Sequence, residues 1–214
     1  MLLRAHGLSS RPWHRSGGHR GSRWRGSGRG KVGEVEWLNE PPSWEARGEA
    51  LLVTAGPQTD IWRTTHYGFV RDSGHLCFQS WDGDFVAEVK VTGAYRDQYD
   101  QAGLMVRRDE RVWLKCGVEF VDGRQHASAV VTREQSDWSI APLTGNPRSL
   151  WLRVSRTGPD VEVRYSVDGA HYDLLRLSRL TDAGPLLVGP MCAAPDGAGF
   201  AVTFEGFTLG LPDE

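Results

Sequence analysis

The stretch WLKCGVEF (113–120) places Trp113, Lys115 and Glu119 at alternate positions, with Gly117 between the two charges. A ring, an amine and a carboxylate on one face suit recognition of a small polar ligand. The ring stacks, the cation meets an anionic group, and the carboxylate exchanges hydrogen bonds with hydroxyls. On a helix, a Lys and a Glu four apart lie within about 6 Å and neutralise each other. On a strand rising roughly 3.3 Å per residue they stand about 13 Å apart, so each needs another partner. Glycine inside a strand marks close approach by a ligand or by another backbone.

Two further segments carry similar equipment. SDWS (136–139) follows an apolar run and reads as the start of a loop, offering Ser136, Asp137 and Trp138. TDIWRTTHYG (59–68) reads as a connection between strands and offers Asp60, Trp62 and His66. Trp and hydroxyls beside a carboxylate bind a sugar ring by stacking and hydrogen bonding. The competing readings are local turns closed by Ser and Asp side chains, and a core anchor for Trp62. SVDGAHY (166–172) is read as a hairpin turn only. Glu119 with Asp100 or Asp137 would supply the carboxylate pair of a glycoside hydrolase if their separation allowed it. No Ser/His/Asp order, nucleophile elbow, phosphate loop or dinucleotide fingerprint occurs. No Cys or His spacing suggests zinc, so neither cofactor nor metal is expected.

Short alternating runs must position these residues. They are ALLVT (50–54), DFVAEVKV (84–91), AGLMVR (102–107), VWLKCGVEFV (112–121), HASAVVT (126–132), LWLRVS (150–155), VEVRYS (161–166), HYDLLRL (171–177) and FAVTFEGFTL (200–209). Asp-Gly turns at 82–83, 122–123 and 168–169 and the absence of a helical period predict an all-β, antiparallel two-sheet sandwich. A type I′ turn at Asp122-Gly123 pairs Val121 with Arg124. Glu119 then faces His126, Gly117 faces Ser128, Lys115 faces Val130 and Trp113 faces Thr132. The opposite face becomes wholly apolar, as register and pattern together require. Pairing across the 108–112 loop brings Gln101 and Gly103 near Glu119 and Gly117. The expected site is a notch over Gly117 walled by Trp113, Lys115, Glu119, Gln101 and His126. An ordinary exposed polar face with cross-strand ion pairs is the alternative.

Composition separates a tail from a body. Residues 1–31 hold eight Arg or Lys and no acid, leaving 17 basic against 27 acidic residues, a formal charge of −10, in the rest. An acidic body repels phosphate backbones and argues against a nucleic-acid partner. Segment 1–33 is expected to be disordered: a solvated extension, a transit peptide, or a nucleic-acid arm using Trp13 and Trp24. Residues 34–214 form the single domain. Cys77, Cys116 and Cys192 sit in apolar runs, the usage of buried thiols in a reducing, cytoplasmic setting. No apolar run approaches a membrane span.

The body resembles the DUF1349 family, whose members are sometimes called regulation-of-enolase proteins and are assigned to the concanavalin A-like sandwiches. The resemblance rests on TDIWRTTHYG, GDFVAEVKVTGAY, YDQAGLMVR, VWLKCGVEFVDG, SAVVTREQSDWS, YSVDG and VTFEGFTL, in order. It implies a jelly-roll-like sandwich similar to the accessory domains of some β-xylosidases, with a ligand site on its concave face. The residues matching its motifs are Asp60, Trp62, Asp100, Gln101, Trp113, Lys115, Glu119, Ser128, Thr132, Ser136, Asp137, Trp138 and Ser139. The expectation is a non-enzymatic binding module for a sugar or sugar phosphate. A sugar-modifying enzyme and a module regulating a metabolic enzyme through protein contact are the alternatives.

Overall fold

The computed structural model describes residues 36–212. The basic segment 1–33 and the three readings it invites lie outside the described residues. The strands are β1 Glu36–Leu38, β2 Ser43–Arg47, β3 Ala50–Thr54, β4 Ile61–Arg63, β5 Val70–Asp72, β6 His75–Trp81, β7 Phe85–Gly93 and β8 Gln101–Arg107. They continue with β9 Val112–Val121, β10 Arg124–Arg133, β11 Gln135–Pro142, β12 Leu150–Thr157, β13 Asp160–Ser166, β14 Asp173–Arg179, β15 Leu186–Ala193 and β16 Ala201–Gly210. Two antiparallel sheets of seven strands form a jelly-roll-like sandwich, ordered β1-β6-β15-β8-β9-β10-β11 and β14-β13-β12-β7-β16-β3-β2. A separate two-stranded hairpin, β4-β5, completes the strands.

Every run expected to be a strand is one. The Asp122-Gly123 turn has both central residues at positive φ, 51° and 73°. The β9–β10 register pairs Glu119 with His126, Gly117 with Ser128 and Trp113 with Thr132. The neighbouring register pairs Gln101 with Glu119 and Gly103 with Gly117. Two segments read as loop or connection are strand instead. Residues 136–139 are not a loop, because Glu134 at φ 69° reverses the chain at once and the stretch pairs along β10 as β11. Ile61–Arg63, read as connection, pairs with Val70–Asp72.

Leu, Val, Ala and Phe from both sheets fill the space between them, including Leu104, Leu114, Cys116, Val118 and Val131 on the first sheet and Phe85, Val89, Leu152 and Phe204 on the second. The three cysteines are free and buried. Strands β7 and β12 alternate buried and half-buried residues, as a sheet with one wet face should. Strand β8 is buried at every position and β9 at all but Val112 and Phe120. The reason is the β4-β5 hairpin, which lies on the outer face of the first sheet. Ile61 and Trp62 pack there with Met105, Trp113, Val130 and Met191 in a second apolar cluster. The polar side chains that alternate with the core on β8 and β9 are therefore buried too, and must find partners.

Candidate functional site

The outer face of β9 shows how those partners are found. Lys115 is 5% and Glu119 6% exposed. The Lys115 amine donates to the Ile61 carbonyl at 2.6 Å and to Gln101 Oε1 at 2.6 Å. Asp60 Oδ1 is its nearest carboxylate oxygen, at 3.8 Å. Glu119 Oε2 accepts from Ser128 Oγ at 2.6 Å and from the Trp138 indole at 2.8 Å. Trp138 also reaches Ser128 Oγ at 3.2 Å. Neither charge uses the other as its hydrogen-bond partner, as the strand rise requires. Burial pushes the Glu119 carboxyl above its ordinary range, against the pull of Lys115, Ser128 and Trp138. Burial also draws the Lys115 ammonium down, against Asp60 and Glu119.

Between the hairpin and the sheet lies a cavity of about 250 Å³. Its floor is Gln101, Lys115 and Glu119, its roof Asp60, Trp62, Tyr67, Phe69 and Arg71, and its ends Tyr99, Trp138, Pro195 and Asp196. Five aromatic rings thus surround three buried ionisable side chains, Asp60, Lys115 and Glu119. The Trp62 and Trp138 rings meet edge-on at 6.4 Å, and Tyr67 stacks on Phe69 at 5.3 Å. The Tyr67 and Tyr99 hydroxyls lie 3.4 Å apart, linking hairpin to body, and that bond together with burial pushes the Tyr67 phenol up to about 12. Thr64, His66 and Tyr99 all hold left-handed backbone, at 56°, 64° and 66°. Such strain on non-glycine residues clusters where shape is under functional constraint.

The hairpin is fastened at several points. Arg107 makes two bonds to the Asp72 carboxylate, 2.6 and 2.8 Å. The Arg63 amide donates to Ser136 Oγ at 3.0 Å, and Ser136 and Thr132 hydroxyls lie 2.8 Å apart. Lys115 holds the Ile61 carbonyl.

The structure thus divides the expected residues. Asp60, Trp62, Gln101, Lys115, Glu119 and Trp138 come together around the cavity, with Ser128 behind Glu119. The others stand elsewhere, for identifiable reasons. Trp113 is 1% exposed in the outer cluster, so its faces are covered by protein. Thr132 and Ser136 are buried and used as hairpin tethers. Asp100 is buried in its own turn, accepting the Arg96 and Asp97 amides at 3.0 Å each. Asp137 points to the opposite side of β11 from Trp138, where Arg176 binds it at 2.8 Å. His126 bonds the Arg124 carbonyl and does not line the cavity. His66 and Asp137 border a neighbouring surface depression that shares Trp62, Tyr67 and Trp138 with the cavity. Neither Asp100 nor Asp137, the expected hydrolase partners of Glu119, lines the cavity.

The notch over Gly117 is also smaller than expected, about 10 Å³, room for one water. Gly103 and Gly117 serve a close backbone approach instead. A Cβ at Gly103 would meet the Cys116 carbonyl oxygen at 1.9 Å, and one at Gly117 the Ala102 carbonyl oxygen at 2.1 Å. Tyr67, Phe69, Arg71, Tyr99, Pro195 and Asp196 escaped the reading of the sequence. Tyr67 lies inside TDIWRTTHYG, and Tyr99 inside YDQAGLMVR, so ring content in those motifs was the available signal. No group of three or more His, Cys, Asp or Glu among the described residues could hold a metal ion.

The domain is an all-β, two-sheet antiparallel sandwich with a hairpin-roofed cavity on one outer face. Its wider relationships agree. The chain belongs to the family described as Protein of unknown function (DUF1349), whose model matches residues 37–211. Regulation of enolase protein 1 of Saccharomyces cerevisiae is 42% identical over 183 residues, covering 85% of this chain and 92% of that one. The crystal structure of a functionally unknown protein from Saccharomyces cerevisiae has a TM-score of 0.81 at 40% identity, covering 84% of this chain and 97% of that one. Xylan β-1,4-xylosidase from Bacillus halodurans shares the fold alone, with a TM-score of 0.62 at 16% identity over 81% of this chain and 36% of that one.

Proposed function

We propose that this domain is a binding module for a small polar ligand, a carbohydrate or sugar phosphate, held in the cavity between the β4-β5 hairpin and the first sheet. The observation that carries this reading is the Glu119 carboxylate. One oxygen is held by Ser128 and Trp138, and the other, Oε1, accepts no hydrogen bond among the described residues, in a side chain that lines an aromatic-walled cavity. Aromatic faces pack on the apolar side of a sugar ring while fixed polar groups orient its hydroxyls. At about 250 Å³ the cavity is below the roughly 300–1,000 Å³ typical of drug-sized ligands, which suits one ring rather than a chain. Gln101 and Glu119 meet hydroxyls, Trp62 or Trp138 gives the stacking face, and Arg71 on the rim faces any phosphate. Titration calorimetry with monosaccharides and sugar phosphates tests this. Heat of binding that disappears in a folded Glu119→Ala variant supports it, and a flat response across the panel refutes it.

A second reading is regulation through a protein partner. It is favoured by the similarity to Regulation of enolase protein 1 and by the edge strand β14, which exposes Leu174 (52%) and Leu177 (63%). Sedimentation with purified enolase tests it. A complex lost on Leu174→Glu with Leu177→Glu supports this reading, and independent sedimentation of the two proteins counts against it.

A further inference from the structure

We propose that Lys115 is a nucleophilic amine that captures the carbonyl carbon of a small open-chain hydroxy-aldehyde or hydroxy-ketone as an imine, with the Glu119 carboxyl carrying the proton. This rests on the cavity being a ligand site and goes beyond it, because it names the reactive form that the site takes.

The first support is the choice of residue. The chain uses Arg 22 times and Lys three times, at 31, 90 and 115. A guanidinium keeps its proton and offers no lone pair, whereas a buried amine gives up its proton readily and attacks carbonyls. A chain that otherwise meets its needs for positive charge with Arg places one of its three amines on a cavity floor. Lys90 lies on the surface, paired with Glu205 at 2.9 Å.

Geometry is the second support. Two short bonds to pure acceptors, Ile61 O and Gln101 Oε1, account for two hydrogens on the Lys115 nitrogen. Asp60 Oδ1 at 3.8 Å is beyond hydrogen-bond length, and the Trp113 ring centroid is 5.8 Å away. The nitrogen makes no third hydrogen bond among the described residues, only these longer contacts to Asp60 and Trp113, in a residue that lines the cavity together with Glu119. Burial independently lowers the affinity of that nitrogen for a third proton and raises that of Glu119.

The chemistry balances without a redox partner. The nitrogen lone pair forms a C–N bond to the carbonyl carbon as the π pair moves onto oxygen, and a proton passes from nitrogen to that oxygen. The resulting carbinolamine hydroxyl takes the Glu119 proton and its C–O bond breaks. Water leaves, the nitrogen lone pair closes the C=N bond, and an iminium faces a Glu119 carboxylate. Hydrolysis reverses each step, so capture is reversible and requires no turnover.

The full chain is incubated with glycolaldehyde, dihydroxyacetone phosphate or D-glucose and cyanoborohydride, then digested for peptide mass spectrometry. The expected result is reductive labelling of Lys115 at least tenfold faster than that of the more accessible Lys90. Glu119→Gln should slow Lys115 labelling about tenfold and leave Lys90 unchanged. Because Lys115 also fastens the hairpin, the comparison relies on Glu119→Gln and the internal Lys90 control rather than on removing the amine. Labelling of Lys115 no faster than Lys90 with all three probes overturns the proposal. Methyl glycosides, whose rings cannot open, separate it from the underlying reading. If they bind in calorimetry while Lys115 stays unlabelled, imine capture is wrong and the binding module stands. If neither occurs, both fail.

Discussion

Lys115 and Glu119 occupy the same face of one strand, are both buried, and do not serve as each other's hydrogen-bond partner. Lys115 is committed to Ile61 O and Gln101 Oε1, and Glu119 to Ser128 and Trp138. Keeping two such groups under an aromatic roof opposes several kcal/mol of desolvation per ion. Their burial is caused by the β4-β5 hairpin, so the arrangement depends on how that hairpin is held.

The pH dependence of stability follows from Glu119. Its folded-state carboxyl keeps its proton to higher pH than the unfolded value of about 4.3. Between those values the folded state binds more protons, so this group's contribution falls as pH rises through the window and levels off above it. Glu119→Gln does not titrate. Its stability relative to wild type should therefore increase from pH 4 upward and then plateau, in denaturant melts at matched ionic strength. A difference independent of pH would show that Glu119 is not perturbed by burial.

Arg107 tests the fastening of the hairpin. Its paired bonds to the partly exposed Asp72 suggest that Arg107→Ala costs about 2 kcal/mol, below the 3–5 of a fully buried pair. Faster amide exchange across residues 60–74, with β12 and β13 unchanged, is the expected signature. Uniform acceleration across both sheets would contradict a local tether.

Thr132 separates support from contact. Thr132→Val removes the hydroxyl beside Ser136 and should cost about 1 kcal/mol of stability. Ligand affinity measured by calorimetry should stay within a factor of about two, equivalent to roughly 0.4 kcal/mol. A tenfold loss would place Thr132 in contact with ligand.

Gly103→Ala and Gly117→Ala introduce a Cβ against a backbone carbonyl, at 1.9 and 2.1 Å respectively. Each should destabilise by about 3 kcal/mol, the upper part of the overpacking range, because backbone cannot rotate away. A change below 1 kcal/mol in urea melts would mean that β8 and β9 separate easily and that the glycine pair has another purpose.

The sandwich was legible because its central strands alternate strictly and its turns are Asp-Gly. The register of β9 on β10 could be read residue by residue, since a one-residue slip would have exposed Leu114, Cys116 and Val118, whereas that of β8 on β9 could be read only to within two residues. Strand β15 was hidden by Gly189 and Pro190, which interrupt its pairing with β6. The site was legible only as a face. WLKCGVEF identified which residues share that face, but nothing in its spacing revealed that a three-residue pair of strands would cover it. Once covered, an exposed polar surface became a buried one, Thr132 and Ser136 became tethers, and the room for a ligand moved from above Gly117 to the space beneath Trp62 and Tyr67. Asp137 stands apart from the cavity for a simpler reason. A loop has no fixed side, whereas strand β11 puts Asp137 and Trp138 on opposite faces.

The indole N–H of Trp138 is the most direct reporter of the central claim, because it bonds the Glu119 oxygen beside the cavity. Its resonance, assigned by its loss in Trp138→Phe among the chain's nine tryptophans, can be followed during titration with monosaccharides and sugar phosphates. Saturable movement of that signal with at least one of them, absent in Glu119→Ala, is the predicted result. A Trp138 signal that stays fixed across the whole panel, or moves equally in Glu119→Ala, would contradict a ligand site on Glu119.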